Sequence, residues 1–257
     1  TGLGIGSLYG KDAYADALNP ADPRQVYTAF TPSYFADEVQ IQGKIEHDFG
    51  GVKAKLSGQW QRNKVDSMQD YNLAVQSADG MRAGFATLAA LSSGAYGPLL
   101  AQYSNVYKAL LPGGAAGQLC ASQADPSGTG VYGGNSYCSS VPLAFDRSVQ
   151  EANAWTVEGI VSSDFDGRLN FLAGAIFNKV KVSENSYYVN SFGLDYVSGV
   201  LGVLTSIGQQ AAGRAVPAMY LGTPFYWNNT DQFDLDSWGI FGEAYLDITD
   251  TLKLTAG

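Results

Sequence analysis

The stretch Val39 to Gln61, VQIQGKIEHDFGGVKAKLSGQWQ, constrains this chain more than any other, because one register sorts both of its faces at once. Gly50-Gly51 is a strong signal for a two-residue hairpin turn. Pairing outward from it sets Phe49 opposite Val52, Ile45 opposite Leu56, Gly43 opposite Gly58 and Ile41 opposite Trp60. That face is apolar, small or aromatic except at His47, which meets Ala54. The other face sets Asp48 against Lys53, Glu46 against Lys55, Lys44 against Ser57 and Gln42 against Gln59. A slip of one residue would exchange the faces, so the pattern specifies an antiparallel hairpin with one apolar side.

Two more hairpins follow the same logic. WTVEGIVSSDFDGRLNFLAGAIFN, Trp155 to Asn178, turns at Asp166-Gly167 and sets Val157, Gly159 and Val161 against Ile176, Gly174 and Leu172. Its opposite face mixes Thr156, Glu158 and Ser162 with Ile160 and Phe171, so a face-swapped register stays open. From Trp238 onward, Ile240, Gly242, Ala244 and Leu246 share a face that Leu252, Leu254 and Ala256 continue after a short polar turn at Asp247–Thr251.

Between the hairpins lie long segments, 64–151 and 183–237. Short turns on one side and long loops on the other are the asymmetry of an outer-membrane barrel, whereas a β-sandwich distributes its turns more evenly. Strands of about ten residues with one apolar face fit a tilted membrane crossing. Trp60, Trp155 and Trp238, each near a loop-side strand end, fit an aromatic girdle. The expected fold class is therefore all-β: six strands, with a seventh at Thr1–Leu8, forming an incomplete antiparallel transmembrane barrel segment. The loops carry short helices, at Gly97–Leu111 with Leu100, Tyr103, Tyr107 and Leu110 at helical spacing before Pro112-Gly113, and at Leu194–Gly213. Both are expected to pack against other loops.

Composition narrows the function. Charged residues make up 15% and Gly numbers 31, a profile of turn-rich β-structure rather than disorder or a helical bundle. A net charge of −9 without a basic stripe argues against nucleic acid as a partner. No apolar run approaches a membrane helix, which leaves a barrel open because alternating strands average to neutral hydropathy. Cys120 and Cys138 stand in one Gly/Ser-rich stretch, which favours a disulfide closing a surface loop in an oxidising compartment.

Catalytic chemistry finds little support, and the chain is expected not to be an enzyme and to need no cofactor. The single His, His47, sits on the apolar hairpin face near its turn, a poor place for a general base. GLGIGSLYG at Gly2–Gly10 misses the dinucleotide-binding spacing. Asp231, Asp234 and Asp236 in DQFDLD are weighed as calcium ligands, but a solvated acidic loop accounts for them without a metal. Asn228 opens an acceptor tripeptide for glycosylation that carries no meaning in a bacterial setting. The ligand-binding candidates are loop aromatics, Tyr187, Tyr188, Tyr220, Phe225, Tyr226 and Trp227. PFYWNNT sets three rings beside two amides, suited to stacking on a sugar or an aromatic siderophore. Packing of loop against loop is the competing reading for these rings.

GEAYLDITDTLKLTAG closely resembles a strand–turn–strand of TonB-dependent outer-membrane receptors, and the other two hairpins look like further barrel hairpins of that family. The resemblance implies a large barrel plugged by an N-terminal domain. Such receptors take up a scarce ligand (an iron–siderophore complex, cobalamin or an oligosaccharide) with energy from TonB. It implies partners in outer-membrane lipid, in that ligand, and in the TonB complex through an N-terminal region, at the outer membrane of a Gram-negative cell. The chain departs from the family pattern in carrying no plug or TonB-box segment, in Ile160 where many relatives have Arg, and in stopping at Gly257. An internal barrel portion is the expectation that joins these observations. The alternatives are a passive channel or small adhesin barrel, and a soluble secreted carbohydrate-binding β-protein.

Overall fold

A computed structural model describes residues 3, 18–70, 75–215, 226–230 and 232–257. The fold is mostly antiparallel β-sheet. Its strands are β1 (Ser33–Asp48), β2 (Val52–Asp70), β3 (Leu119–Ser122), β4 (Ser136–Ser139), β5 (Ala144–Ser163), β6 (Leu169–Ser191), β7 (Tyr226–Thr230), β8 (Phe233–Thr249) and β9 (Leu252–Ala256). The helices are α1 (Asp79–Ser92), α2 (Tyr103–Leu110) and α3 (Phe192–Ala211). Seven strands form one sheet in the order β1-β2-β5-β6-β8-β9, with β7 paired to β6, and β3 and β4 form a separate ribbon. The large sheet is not closed into a barrel among the described residues. The strand expected at Thr1–Leu8 lies outside them, apart from Leu3.

Contacts divide the chain into two compact units. The sheet unit comprises Tyr34–Asp66, Val149–Ser186 and Asn229–Gly257. Its first turn is built as the two glycines imply, with φ of 79° at Gly50 and 90° at Gly51 and the Phe49 amide donating to the Val52 carbonyl at 2.9 Å. Lys53 reaches Asp48 at 4.0 Å, but Glu46 takes Lys44 on its own strand, at 2.8 Å, rather than Lys55. These pairs are exposed and screened by solvent, so they add little to stability.

The second turn differs from the expected Asp166-Gly167 pair. β5 ends at Ser163 and β6 begins at Leu169, and Asn170 holds the longer turn closed. Its Oδ1 accepts from the Phe165 amide at 2.7 Å and the Ser163 hydroxyl at 2.8 Å, while its Nδ2 donates to the Phe165 carbonyl at 3.2 Å. The third hairpin sets Leu246 opposite Leu254 and Ala244 opposite Ala256, with an irregularity between Asp247 and Thr249. That register keeps Ala244, Leu246, Leu254 and Ala256 on one face.

The loop unit comprises Thr1–Ser33, Ser67–Ser148 and Tyr187–Asn228, and it holds the core of buried side chains. Met81, Phe85 and Leu88 line one side of α1, and Tyr103, Val106 and Leu110 one side of α2. Phe192, Tyr196, Val200 and Val203 from α3 complete the packing. Ser191 caps α3 by accepting from the Leu194 amide at 3.3 Å. Gly199 is a packing requirement, because a Cβ there would overlap the Tyr132 hydroxyl and press on Val106.

Cys120 and Cys138 face each other across β3 and β4 and are joined by a disulfide, with Cα atoms 4.0 Å apart. Replacing both with Ser should lower the stability of this unit by about 3 kcal/mol, on the loop-entropy account for a closed loop of this length. A fall in the thermal midpoint that reductant reproduces in the native chain is the expected observation.

Candidate functional site

Within the sheet unit, β1, β2, β5, β6, β8 and β9 present one continuous apolar face. Its outward positions are Val39, Ile41 and Ile45 on β1, Leu56 and Trp60 on β2, and Trp155, Val157 and Val161 on β5. Leu169, Phe171, Ala173, Ala175 and Phe177 on β6 stand opposite Leu246, Ala244, Gly242, Ile240 and Trp238 on β8. These side chains are in the open: Ile45 is 71%, Ile240 76% and Trp238 77% exposed. The swapped facing of the second hairpin is the one adopted: Trp155, Val157 and Val161 are exposed together with Leu169, Phe171 and Phe177, so Val161 shares a face with Phe171 and not with Leu172.

Rings mark the loop-side limit of this face. Trp60 and Trp155 sit 6.1 Å apart between ring centroids, and Phe177 pairs in register with Trp238. Beyond the rings, on the same face, charges begin. Arg62 pairs with Asp37 at 2.8 Å, Lys64 with Glu151 at 3.9 Å and Lys179 with Asp236 at 3.3 Å, and Lys181 stands opposite Asp234. Along β6 the apolar run from Leu169 to Phe177 covers roughly 30 Å at about 3.4 Å per residue. Tilted by about 40°, that run has a height of about 20–25 Å. His47 lies on this face, its ring edge-on to Phe49 at 4.3 Å.

The reverse face mixes polar pairs with apolar residues, among them Val180 opposite Leu235 and Val182 opposite Phe233. Gln61 donates to Glu38 at 2.9 Å, Ser57 to Glu158 at 3.5 Å, and Lys253 pairs with Asp247 at 3.3 Å. Asp234 and Asp236, weighed as metal ligands from sequence, belong to β8 and to the charged cross-strand row, and Asp231 lies outside the described residues. Among the described residues no group of three or more His, Cys, Asp or Glu is arranged to hold a metal ion. No described helix is long and apolar enough to cross a membrane, which says nothing of strands.

In the loop unit the polar chemistry is concentrated on Asp195, which is fully buried in α3. Its carboxylate accepts from the Ser122 amide at 2.6 Å, the Ser122 hydroxyl at 3.0 Å and Asn190 Nδ2 at 2.8 Å. The Ser122 hydroxyl oxygen accepts from the Val131 amide at 2.9 Å, and the Tyr132 hydroxyl donates to the Asp195 carbonyl at 2.7 Å. This cluster ties β3, the 3₁₀ turn at Gly130–Gly133 and the start of α3 together. Sequence inspection missed it because its members are far apart along the chain and none belongs to a motif.

Burial pushes the Asp195 carboxyl above its ordinary range, and the hydrogen bonds from Ser122 and Asn190 only partly oppose it. A carboxyl raised on folding adds stability in full below its unfolded value, and that increment is lost as pH rises through the folded value. Asp195→Asn, which does not titrate, should flatten that falling limb in urea midpoints measured from acid to neutral pH. Burial also raises the Tyr132 and Tyr188 hydroxyls, with the Asp195 charge adding to it, so both remain donors at neutral pH.

The aromatic ligand candidates occupy different environments. Tyr188 is buried, its ring 5.6 Å from Phe145 and its hydroxyl donating to the Ser122 carbonyl. Tyr187 is half-buried and donates to Asp146 at 3.1 Å. Trp227 on β7 is 39% exposed, Tyr226 begins that strand, and Tyr220 and Phe225 lie outside the described residues. Tyr188 thus serves the core, and Trp227 keeps a ring available to solvent. Comparison with protein-family models, curated proteins and solved structures found no match for this chain.

Proposed function

We propose that this chain forms part of the wall and loops of an outer-membrane β-barrel transporter of the TonB-dependent receptor type, which takes up a siderophore, cobalamin or an oligosaccharide. The observation that carries the membrane reading is the apolar face with its loop-side limit. An outward band about 20–25 Å tall, bounded on the loop side by aromatic side chains and then by charge, is what strands crossing a bilayer present. In water the same face is costly, since an exposed isoleucine forgoes about 1.5–3 kcal/mol relative to burial. The reverse face, which carries the polar pairs of β1, β2 and β5, then lines the lumen. The long connections opposite the tight turns become external loops, with Trp227 and Tyr187 as the rings closest in character to a ligand platform. The receptor assignment rests on the resemblance of the three hairpins, and coupling to TonB requires a segment other than those described.

Vesicle flotation tests the reading. Refolded from denaturant, the chain should float with phosphatidylcholine vesicles, resist alkaline extraction, and have its tryptophan emission quenched by brominated acyl chains. A chain that stays soluble and monomeric without detergent overturns it in favour of a secreted β-protein. Saturable quenching of emission by a ferric siderophore, cobalamin or an oligosaccharide, reduced by Trp227→Ala, would then assign the ligand class.

A further inference from the structure

The apolar face is not evenly filled. Between Val157, Gly159, Ala175, Phe177, Trp238 and Ile240 it sinks into a hollow of about 380 Å³, lined by small and bulky apolar residues together. That volume is at the lower end of the ~300–1,000 Å³ typical of small-ligand clefts. The lining is almost wholly apolar, so the complementary group is a hydrocarbon. One step beyond Phe177 and Trp238 on the same two strands stand Lys179 and Asp236, 3.3 Å apart and half-exposed. A slot for hydrocarbon beneath an ammonium–carboxylate pair matches a molecule with an acyl chain and a zwitterionic head, its phosphate toward the ammonium and its own ammonium toward the carboxylate.

We propose that this hollow is a specific seat for one acyl chain of a zwitterionic membrane lipid, with Lys179 engaging the phosphate and Asp236 the head-group ammonium. The inference rests on the membrane reading above and adds to it a discrete lipid site where a uniform lipid-facing surface was the simpler expectation. Gly159 is the key to the slot. A Cβ built on it meets nothing within 4 Å, so the space above it is open and a larger side chain can enter without displacing the backbone. Gly43, on the same face of β1, is equally open and lies outside the hollow, which makes it the matched control.

The experiment uses the chain refolded into vesicles of phosphatidylcholine and phosphatidylethanolamine, extracted into mild detergent and examined by native mass spectrometry. A lipid should remain bound to the wild type and to Gly43→Leu and be lost from Gly159→Leu. The bound lipid should be phosphatidylethanolamine in preference to phosphatidylcholine, whose methylated ammonium cannot donate to Asp236, and Asp236→Ala should retain a lipid but lose that preference. Retention by Gly159→Leu equal to the wild type, or none by the wild type, overturns the slot. Flotation of the same samples separates the two levels. A chain that floats without retaining a lipid refutes the slot alone, and a chain that does not float refutes the membrane reading beneath it.

Discussion

Ile45→Arg should cost the chain about 2–4 kcal/mol of stability in a bilayer, the penalty for a cationic side chain near the midplane on a lipid-facing strand. Ile45 lies on the apolar face of β1 between Val39 and the turn that follows Asp48, away from the charged row that begins at Asp37. It is 71% exposed, so no protein neighbour is displaced and the expected loss comes from the surrounding medium alone. That makes the substitution discriminating. In water, an arginine at so open a position stays within about 0.5 kcal/mol of the wild type and can improve solubility. Gln42→Arg, on the polar reverse face of the same strand, should be near neutral in either medium. Guanidinium titrations of both variants refolded in vesicles give the answer, and equal midpoints would remove the lipid-facing assignment of this surface.

The parts of the fold that could be read from sequence are those governed by local period and turn chemistry. The Gly50-Gly51 hairpin was legible because polarity alternates cleanly on both strands and the turn residues fix the register. The second hairpin was not, because Ile160, Leu172 and Ile176 make its polar face nearly as apolar as the other. What decides it is the Asn170 side chain, which locks a longer turn through bonds that no hydropathy pattern encodes. Strand length was also hidden. β5 and β6 extend to Ala144 and Ser191 through Gln150, Glu184 and Asn185, where backbone pairing continues after apolar alternation has stopped. α2 and α3 announced themselves by spacing and by Pro112, whereas α1 is rich in Ala and Gly and shows few large apolar residues. The Asp195 cluster was beyond reach, since Ser122 and Asp195 meet across 73 residues of chain.

Phe85→Ala should remove about 3–5 kcal/mol from the loop unit, the usual cost of emptying a buried phenylalanine site. Phe85 is fully buried, with its ring 5.8 Å from Phe192 and 5.4 Å from Tyr196, and those two rings are stacked at 5.8 Å. Truncation forfeits both edge-on contacts, and a rigid aromatic cluster closes over the vacancy only in part. Tyr196 gives the site a reporter. Burial pushes its hydroxyl up to about 12, so spectrophotometric titration of the wild type should show a tyrosine ionising late. In Phe85→Ala part of that burial is lost, and this ionisation should move back toward the ordinary tyrosine range. The sheet unit carries its own probes in Trp60, Trp155 and Trp238. In vesicles the variant should therefore lose its near-ultraviolet tyrosine signal at lower denaturant while the emission of those tryptophans stays blue-shifted. Simultaneous loss of both signals would show that the loops and the sheet unfold as one cooperative body, and that the core around Phe85 is a condition for the strands holding their place.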